Sequence, residues 1–175
     1  MSWTTPKTWL AGSPLLAAEL NTHLRDNLAA LKAPPTNGYG LNRPSDYSTS
    51  STAFVDVDST YLALAITTSG GDIMVGFACS VVVNACAVAL DLTIDGVRVA
   101  GDEGIIEVGN LRSDEARSLS FVYLLSTVPA GAHTIKLQWR VDTGSATMYA
   151  GAGSAGVTYG GLADIHPQFW VREVS

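Results

Sequence analysis

The sequence predicts a mainly β protein, an antiparallel jelly-roll-like β-sandwich with one N-terminal amphipathic α-helix. After residue 53, apolar and polar residues alternate along most of the chain, which is the period of a half-buried strand. Before residue 33, leucines instead recur at helical spacing. We therefore divide the chain into an N-terminal anchor segment with its helix (1–32), a linker (33–52) and a β-sandwich head domain (53–175).

The anchor segment joins a tryptophan-containing lead-in to one helix over residues 15–32. Ser13-Pro14 is a typical start signal, because serine caps helices and proline suits the first helical position. A helix of this length is marginal by itself and needs a partner for its apolar side. We expect anchoring or oligomerisation through Trp3, Trp9, Leu16, Leu20, Leu24, Leu28 and Leu31. Packing of the helix on the chain's own β domain is the alternative.

Residues 33–52 are rich in proline, glycine, asparagine and serine, a composition typical of a semi-extended linker. Alternating strands then follow at hairpin spacing, and Asp95-Gly96 is a strong hairpin signal. Strands are predicted around residues 54–57, 62–66, 73–83, 88–94, 97–99, 119–125, 135–141, 147–149 and 168–171. Because the sequence indicates no helix between them, an antiparallel sandwich is favoured over α/β folds.

Composition excludes several classes of function. Charged residues make up 15% of the chain, against about 25% in typical soluble proteins, so we expect other subunits to cover part of the surface. The net charge is −6 and the basic residues are scattered, which argues against nucleic acid as a partner. The sequence contains no run of eighteen apolar residues and nothing like a signal peptide. We therefore expect no membrane insertion, and synthesis in a cytoplasm.

The sequence offers little that indicates catalysis. Residues 151–156 (GAGSAG) match a dinucleotide-binding pattern, but without a βαβ context they predict only a glycine-rich loop. The histidines lack further ligands at metal-binding spacing, and two cysteines, Cys79 and Cys86, are most simply small buried residues, with a bridge between them left open. We expect no enzyme activity, metal or cofactor; a carboxylate-pair enzyme or a calcium site are the alternatives.

One aromatic-containing stretch is a candidate ligand or partner loop. Tyr149, Ser154 and Tyr159 lie in or beside the glycine-rich residues 151–156. Tyrosine rings there could stack on a sugar or anchor a protein partner. Simple contact between subunits is the alternative role for these residues.

The N-terminal residues resemble a known family. Residues 6–12 (PKTWLAG) and 20–31 (LNTHLRDNLAAL) resemble the opening of many small virion proteins of tailed bacteriophages, which follows the pattern P-x-T-W-x-x-G … L-N-x-x-L-R-D-N-L-x-x-L. The resemblance covers residues 3–32. Ser13-Pro14 departs from the acidic and apolar pair that is more usual there, although a capping serine is kept.

The resemblance implies a non-enzymatic structural protein of the virion, assembled in the host cytoplasm. It implies a homotrimer that docks by its N-terminal segment to capsid, neck or tail proteins and projects its β head outward, as a capsid decoration or a short fibre or tail component. The alternative that it leaves open is a receptor- or glycan-binding tail-fibre module for attachment to the host surface.

Overall fold

A computed structural model gives the fold of residues 4–39, 45–109, 115–150 and 166–174, and the description below is of those residues. They form an N-terminal helical unit and twelve strands in two antiparallel sheets. The helical unit consists of α1 (Ala17–Leu20), a π-helical segment (Asn21–Asp26) and α2 (Asn27–Lys32). The strands are β1 (Thr36–Tyr39), β2 (Tyr47–Thr49), β3 (Val55–Asp56), β4 (Ala63–Thr68), β5 (Gly71–Asn84), β6 (Ala87–Ile94), β7 (Val97–Arg98), β8 (Ile106–Gly109), β9 (Glu115–Val128), β10 (Gly131–Val141), β11 (Ser145–Met148) and β12 (Gln168–Glu173).

Each sheet has six strands arranged around one or two long ones. In sheet A, β12 and β11 lie one after the other along one side of β5, and β9 lies along its other side. The short strands β1 and β2 pair with β12 and β11. In sheet B, β10 pairs with β3, β4 and β6, and β6 also pairs with β7 and β8.

The core lies between the two sheets and follows the predicted alternation. Along β10, every second residue from Ile135 to Val141 is buried and the residues between them are half-buried. The largest fully buried side chains include Trp139, Phe169, Leu62, Ile73 and Leu90. The mainly β sandwich with an N-terminal helical unit is therefore confirmed, while the jelly-roll order of its strands stays a prediction.

The described parts of the segment interpreted as a linker, residues 33–39 and 45–52, contribute to the sandwich. They contain β1 and β2, which form the outer strands of sheet A beside β12 and β11. Backbone bonds also fix the ends of the segment, since the Glu173 N–H donates to the Pro35 carbonyl and the Val141 N–H to the Ser51 carbonyl. Composition missed these strands because they are short, polar edge strands, in which threonine, asparagine and serine satisfy the ladder without an apolar pattern.

The chain crosses from sheet A to sheet B at Asn84-Ala85. Ala85 has a positive φ of 50°, but β5 and β6 belong to different sheets and do not pair. Cys79 and Cys86 are both buried and free, so no disulfide joins them. Burial raises the pKa of the Cys79 thiol to about 12, because it disfavours the thiolate. By contrast, the hairpin predicted at Asp95-Gly96 is present between β6 and β7.

The predicted helix is present, but its start differs from the expectation. Helical residues begin at Ala17, and the N-cap position is Leu16, whose side chain makes no capping hydrogen bond. Ser13 does not cap the helix; its N–H donates to the Leu10 carbonyl at 3.2 Å, beside Gly12 with φ of 82°. The chain turns there before the helix begins, which moves the serine away from the first helical residues.

Candidate self-association surface

The helical unit is held together by its own N-terminal residues. We call residues 4–9 the N-terminal strap. The Thr4 N–H and hydroxyl donate to Asn27 Oδ1 at 2.9 and 3.0 Å, and Asn27 Nδ2 donates back to the Thr4 carbonyl at 2.9 Å. Asn27 is only 4% exposed, so these bonds are made in a largely dry contact. They fix the strap along one side of the helix.

Further contacts extend the strap along the same side. The Lys7 ammonium pairs with the Glu19 carboxylate and lies 5.2 Å from the centre of the Trp9 ring. The Trp9 and His23 rings meet edge to face, with their centroids 6.4 Å apart. Glu19, His23 and Asn27 are spaced by four and so share one side of the helix. The strap therefore covers the polar side of the helical unit.

The leucine stripe (Leu16, Leu20, Leu24, Leu28 and Leu31) lies beside this polar side and remains largely uncovered. The exposed fractions of Leu16, Leu24, Leu28 and Leu31 are 57%, 51%, 65% and 64%, and Leu20 is half-buried. No strand packs along the stripe in the described part of the chain, and the helical segments make their main contacts with each other. The alternative of a helix packed along its own β domain does not describe this structure.

The π-helical segment contains the middle of the leucine stripe. A spacing of four overshoots one 3.6-residue α-helical turn, so such leucines drift around an α-helix. The π-helical bonds of residues 21–26 run from residue i to i+5 and widen the turn. We therefore expect the drift between Leu20 and Leu28 to be smaller than along a regular α-helix.

The stripe leads into an open cavity of about 560 Å³ at the C-terminal end of the helical unit. Leu31 and Pro34 line the cavity from the helix side, and Met74 and Trp170 line it from sheet A. Arg172 also lies on its wall. The stripe and the outer face of sheet A therefore border the same apolar space.

Sheet A itself presents apolar groups on this outer face. Val122 and Leu124 of β9 are 60% and 53% exposed. The Trp170 indole lies against Gly76, where a Cβ atom would overlap the ring. Sequence reasoning did not identify these residues as surface groups. The available signal was the stretch 119–125 (LSFVYLL), in which apolar side chains occupy both faces of one strand.

The remaining predicted residues do not converge on one site. Trp3, Ser154 and Tyr159 lie outside the described residues. Trp9 belongs to the strap contacts and not to the stripe. Tyr149 is only 7% exposed, and its N–H donates to the Ser80 carbonyl at 3.0 Å. A buried ring of this kind is not presented to a ligand, so Tyr149 does not fit its predicted role.

The charged side chains Asp91 and Arg98 make their contacts within the head itself. Asp91 is fully buried and accepts hydrogen bonds from Arg98 Nε at 2.6 Å and from the Leu92 N–H at 2.7 Å. The Arg98 guanidinium lies 3.9 Å from the centre of the Phe54 ring. These contacts fix the hairpin of β6 and β7 at the edge of sheet B and account for Asp91 and Arg98 by contacts within the head.

Within the described residues, no group of three or more histidine, cysteine or acidic side chains is arranged to hold a metal. In the same residues, no helix is long and apolar enough to cross a membrane. Comparison of the chain with protein-family models and with curated protein sequences found no match.

Proposed function

We propose that this chain is a non-enzymatic structural protein of a tailed-bacteriophage virion. In this proposal three copies associate through the leucine stripe, other virion proteins of the capsid, neck or tail hold the N-terminal segment, and the β-sandwich head projects outward. The virion assignment and the number three come from the resemblance of residues 6–12 and 20–31 to phage virion proteins. The self-association step has its own support in the structure.

One observation carries that step: the helix covers its polar side with its own strap and leaves its apolar side uncovered. An isolated helix of this length is marginal in water, and four leucines of the stripe are more than half exposed. Covering them with the same stripe of other copies removes apolar area from water, at about 25 cal/mol per Å². A narrow stripe of leucines is the kind of seam that parallel helices share.

The first test measures the solution mass of the full chain by light scattering. We expect a mass that is a multiple of three chains. The variant Leu24→Asp/Leu28→Asp places two charges in the seam and should lose threefold association while keeping the β signal in circular dichroism. The matched control, Ala18→Asp/Asn21→Asp, adds the same charge at exposed positions off the stripe and should keep the wild-type mass.

A wild-type monomer, or a threefold mass that survives Leu24→Asp/Leu28→Asp, would contradict the proposal. Truncation at residue 45 is a poor substitute, because it would remove β1 from sheet A. The virion part of the proposal is tested by incorporation into the assembled phage particle. When the two variants are expressed during phage assembly, Leu24→Asp/Leu28→Asp should be excluded from the particles and Ala18→Asp/Asn21→Asp should be incorporated.

A further inference from the structure

The long strand β9 forms an open edge of sheet A. It has 14 residues and pairs along one side with β5. Among the described residues, no strand pairs with its other side. The opposite edge of the sheet is tied to sheet B, since Asn37 Nδ2 donates to the Ala65 carbonyl at 2.7 Å and the Val141 N–H to the Ser51 carbonyl at 2.8 Å. One side of the sandwich is thus closed and the β9 side is open.

The register shows which backbone groups point to this open edge. The carbonyls of Asp72 and Ser80 accept hydrogen bonds from Val174 and Tyr149, which lie on the β12 and β11 side of β5. Successive residues of an antiparallel strand alternate sides, so even-numbered residues of β5 face β12 and β11 while odd-numbered residues face β9. Because even residues of β5 stand opposite even residues of β9, the even residues of β9 turn their N–H and C=O groups to the open edge. These residues are Ala116, Ser118, Ser120, Val122 and Leu124.

The same stretch lacks the features that usually protect an edge. Residues 118–125 contain no charge, proline or glycine, although natural edge strands are commonly blunted by lysine, proline or bulges. The bulge of β9, with Thr127 at φ of 57°, lies beyond them. Val122 and Leu124 also expose their side chains on the outer face. A long, uncharged, apolar edge of this kind aggregates unless a partner strand covers it. Its chemistry specifies that partner as an extended strand.

We propose that the open edge of β9 pairs with β9 of a second copy, antiparallel and about a twofold axis near Val122. Such a contact uses the same patch on both copies, and the even residues of each strand supply both donors and acceptors. Antiparallel pairing centred on Val122 sets 118 against 126 and 120 against 124. No like charges meet in that register, because the whole stretch is uncharged. The two outer faces then join into one larger apolar face.

This contact is independent of the proposed threefold seam. The seam uses the helical unit and a threefold axis, whereas the edge contact uses sheet A and a twofold axis. With the twofold axis crossing the threefold axis at a right angle, both together close an assembly of six copies. The two contacts can therefore be removed one at a time, and failure of one leaves the other to be measured.

The test uses the full chain and the substitution Ser120→Pro. Proline removes the Ser120 N–H, which faces the open edge, and leaves the ladder to β5 in place. In the Leu24→Asp/Leu28→Asp background, light scattering should give a dimer, and Ser120→Pro should convert it to a monomer. The control Ser120→Ala removes the hydroxyl alone and should leave the dimer. In the unsubstituted background, Ser120→Pro should halve the mass to three copies.

A second variant tests the same contact without introducing a proline into the strand. Val122→Lys places two like charges beside each other at the twofold axis and should also abolish the dimer. Val97→Lys is its matched control, because Val97 is a 68% exposed valine in sheet B. Two results would overturn the proposal. One is a monomer in the Leu24→Asp/Leu28→Asp background. The other is a dimer that survives both Ser120→Pro and Val122→Lys, which would mean that the dimer forms through another surface.

Discussion

The helical unit and the β head arrange the same kinds of side chain in opposite ways. The head encloses its core side chains between two sheets, as Trp139 and Leu137 of β10 show, and the residues between them in β10 are half-buried. The helical unit buries a polar side chain, Asn27, under its strap and leaves its leucines in water. The head therefore has a buried core of its own, whereas the leucines of the helical unit are covered only in the proposed assembly. Substitutions in the core of the head should therefore reduce its stability, and substitutions in the leucine stripe should reduce association.

The largest expected effect tests the self-sufficiency of the head. Trp139→Ala removes a fully buried ring from the centre of β10 and should cost about 4 kcal/mol of unfolding free energy, from the lost burial and the cavity left behind. Urea denaturation followed by circular dichroism measures this cost. The control is Leu28→Ala, a 65% exposed leucine of the stripe, which should change the free energy of unfolding of the head little. Equal costs would contradict the division between the two regions.

A second effect in the head comes from its buried charge. Arg98→Met keeps much of the contact with the Phe54 ring but leaves the Asp91 carboxylate, fully buried, without its cationic partner. Breaking a buried pair costs about 3–5 kcal/mol; because the Arg98 side chain is partly exposed, we expect about 3 kcal/mol. The double variant Arg98→Met/Asp91→Leu should recover most of that loss in the same denaturation experiment. A double variant less stable than Arg98→Met would show that Asp91 has a further role.

In the helical unit, the corresponding buried polar group should matter locally. Asn27→Ala removes the partner of three Thr4 groups and should release the strap at a cost of about 2 kcal/mol. Release should increase the exposure of Trp9 to water, which a red shift of the tryptophan fluorescence reports; the shift should be absent when Asn27→Ala is combined with Trp9→Phe. The unfolding transition of the head should not move. If it shifts as much as in Trp139→Ala, the helical unit belongs to the core of the head.

The same contrast explains how much of the fold the sequence could predict. The head follows strict alternation, so long strands such as β5 and β10 and the Asp95-Gly96 hairpin were predictable from local pattern. The edges β1 and β2 were not, because their pairing with β12 and β11 depends on contacts between 97 and 136 residues away in the sequence. The helix was predictable, but not the strap, since the Thr4–Asn27 bonds leave no periodic signal.

The candidate surface was only half predictable for a related reason. The leucine stripe repeats with a helical period and can therefore be recognised in the sequence. The open edge of β9 depends on which strands lie beside it, and that is a property of the topology. The run of apolar residues at 119–125 was visible, but a run of that kind fits a strand buried on both faces equally well. Only the arrangement of the sheets shows that one of its faces is exposed.

The smallest expected effect is a pH dependence of the stability of the head. His133 Nδ1 lies 2.7 Å from Asp95 Oδ2, and His133 Nε2 lies 2.9 Å from the Pro129 carbonyl. Both ring nitrogens face acceptors, so the bonds to Asp95 and Pro129 raise the pKa of His133 above its ordinary 6.5, and the bond from His133 lowers the pKa of Asp95 below 3.8. The charged ring therefore adds stability below pH 6.5, which is lost as the pH rises through the raised pKa of His133.

Asp95 sets the lower limit of this range, because its stabilising charge is present above pH 3.8 and is lost as the pH falls through its lowered pKa. The pair is partly exposed, so the effect should be a small decline in Tm above about pH 6.5. His133→Gln should remove that decline, and His23→Gln in the helical unit should leave it in place. An unchanged decline in His133→Gln would assign the pH dependence to another group.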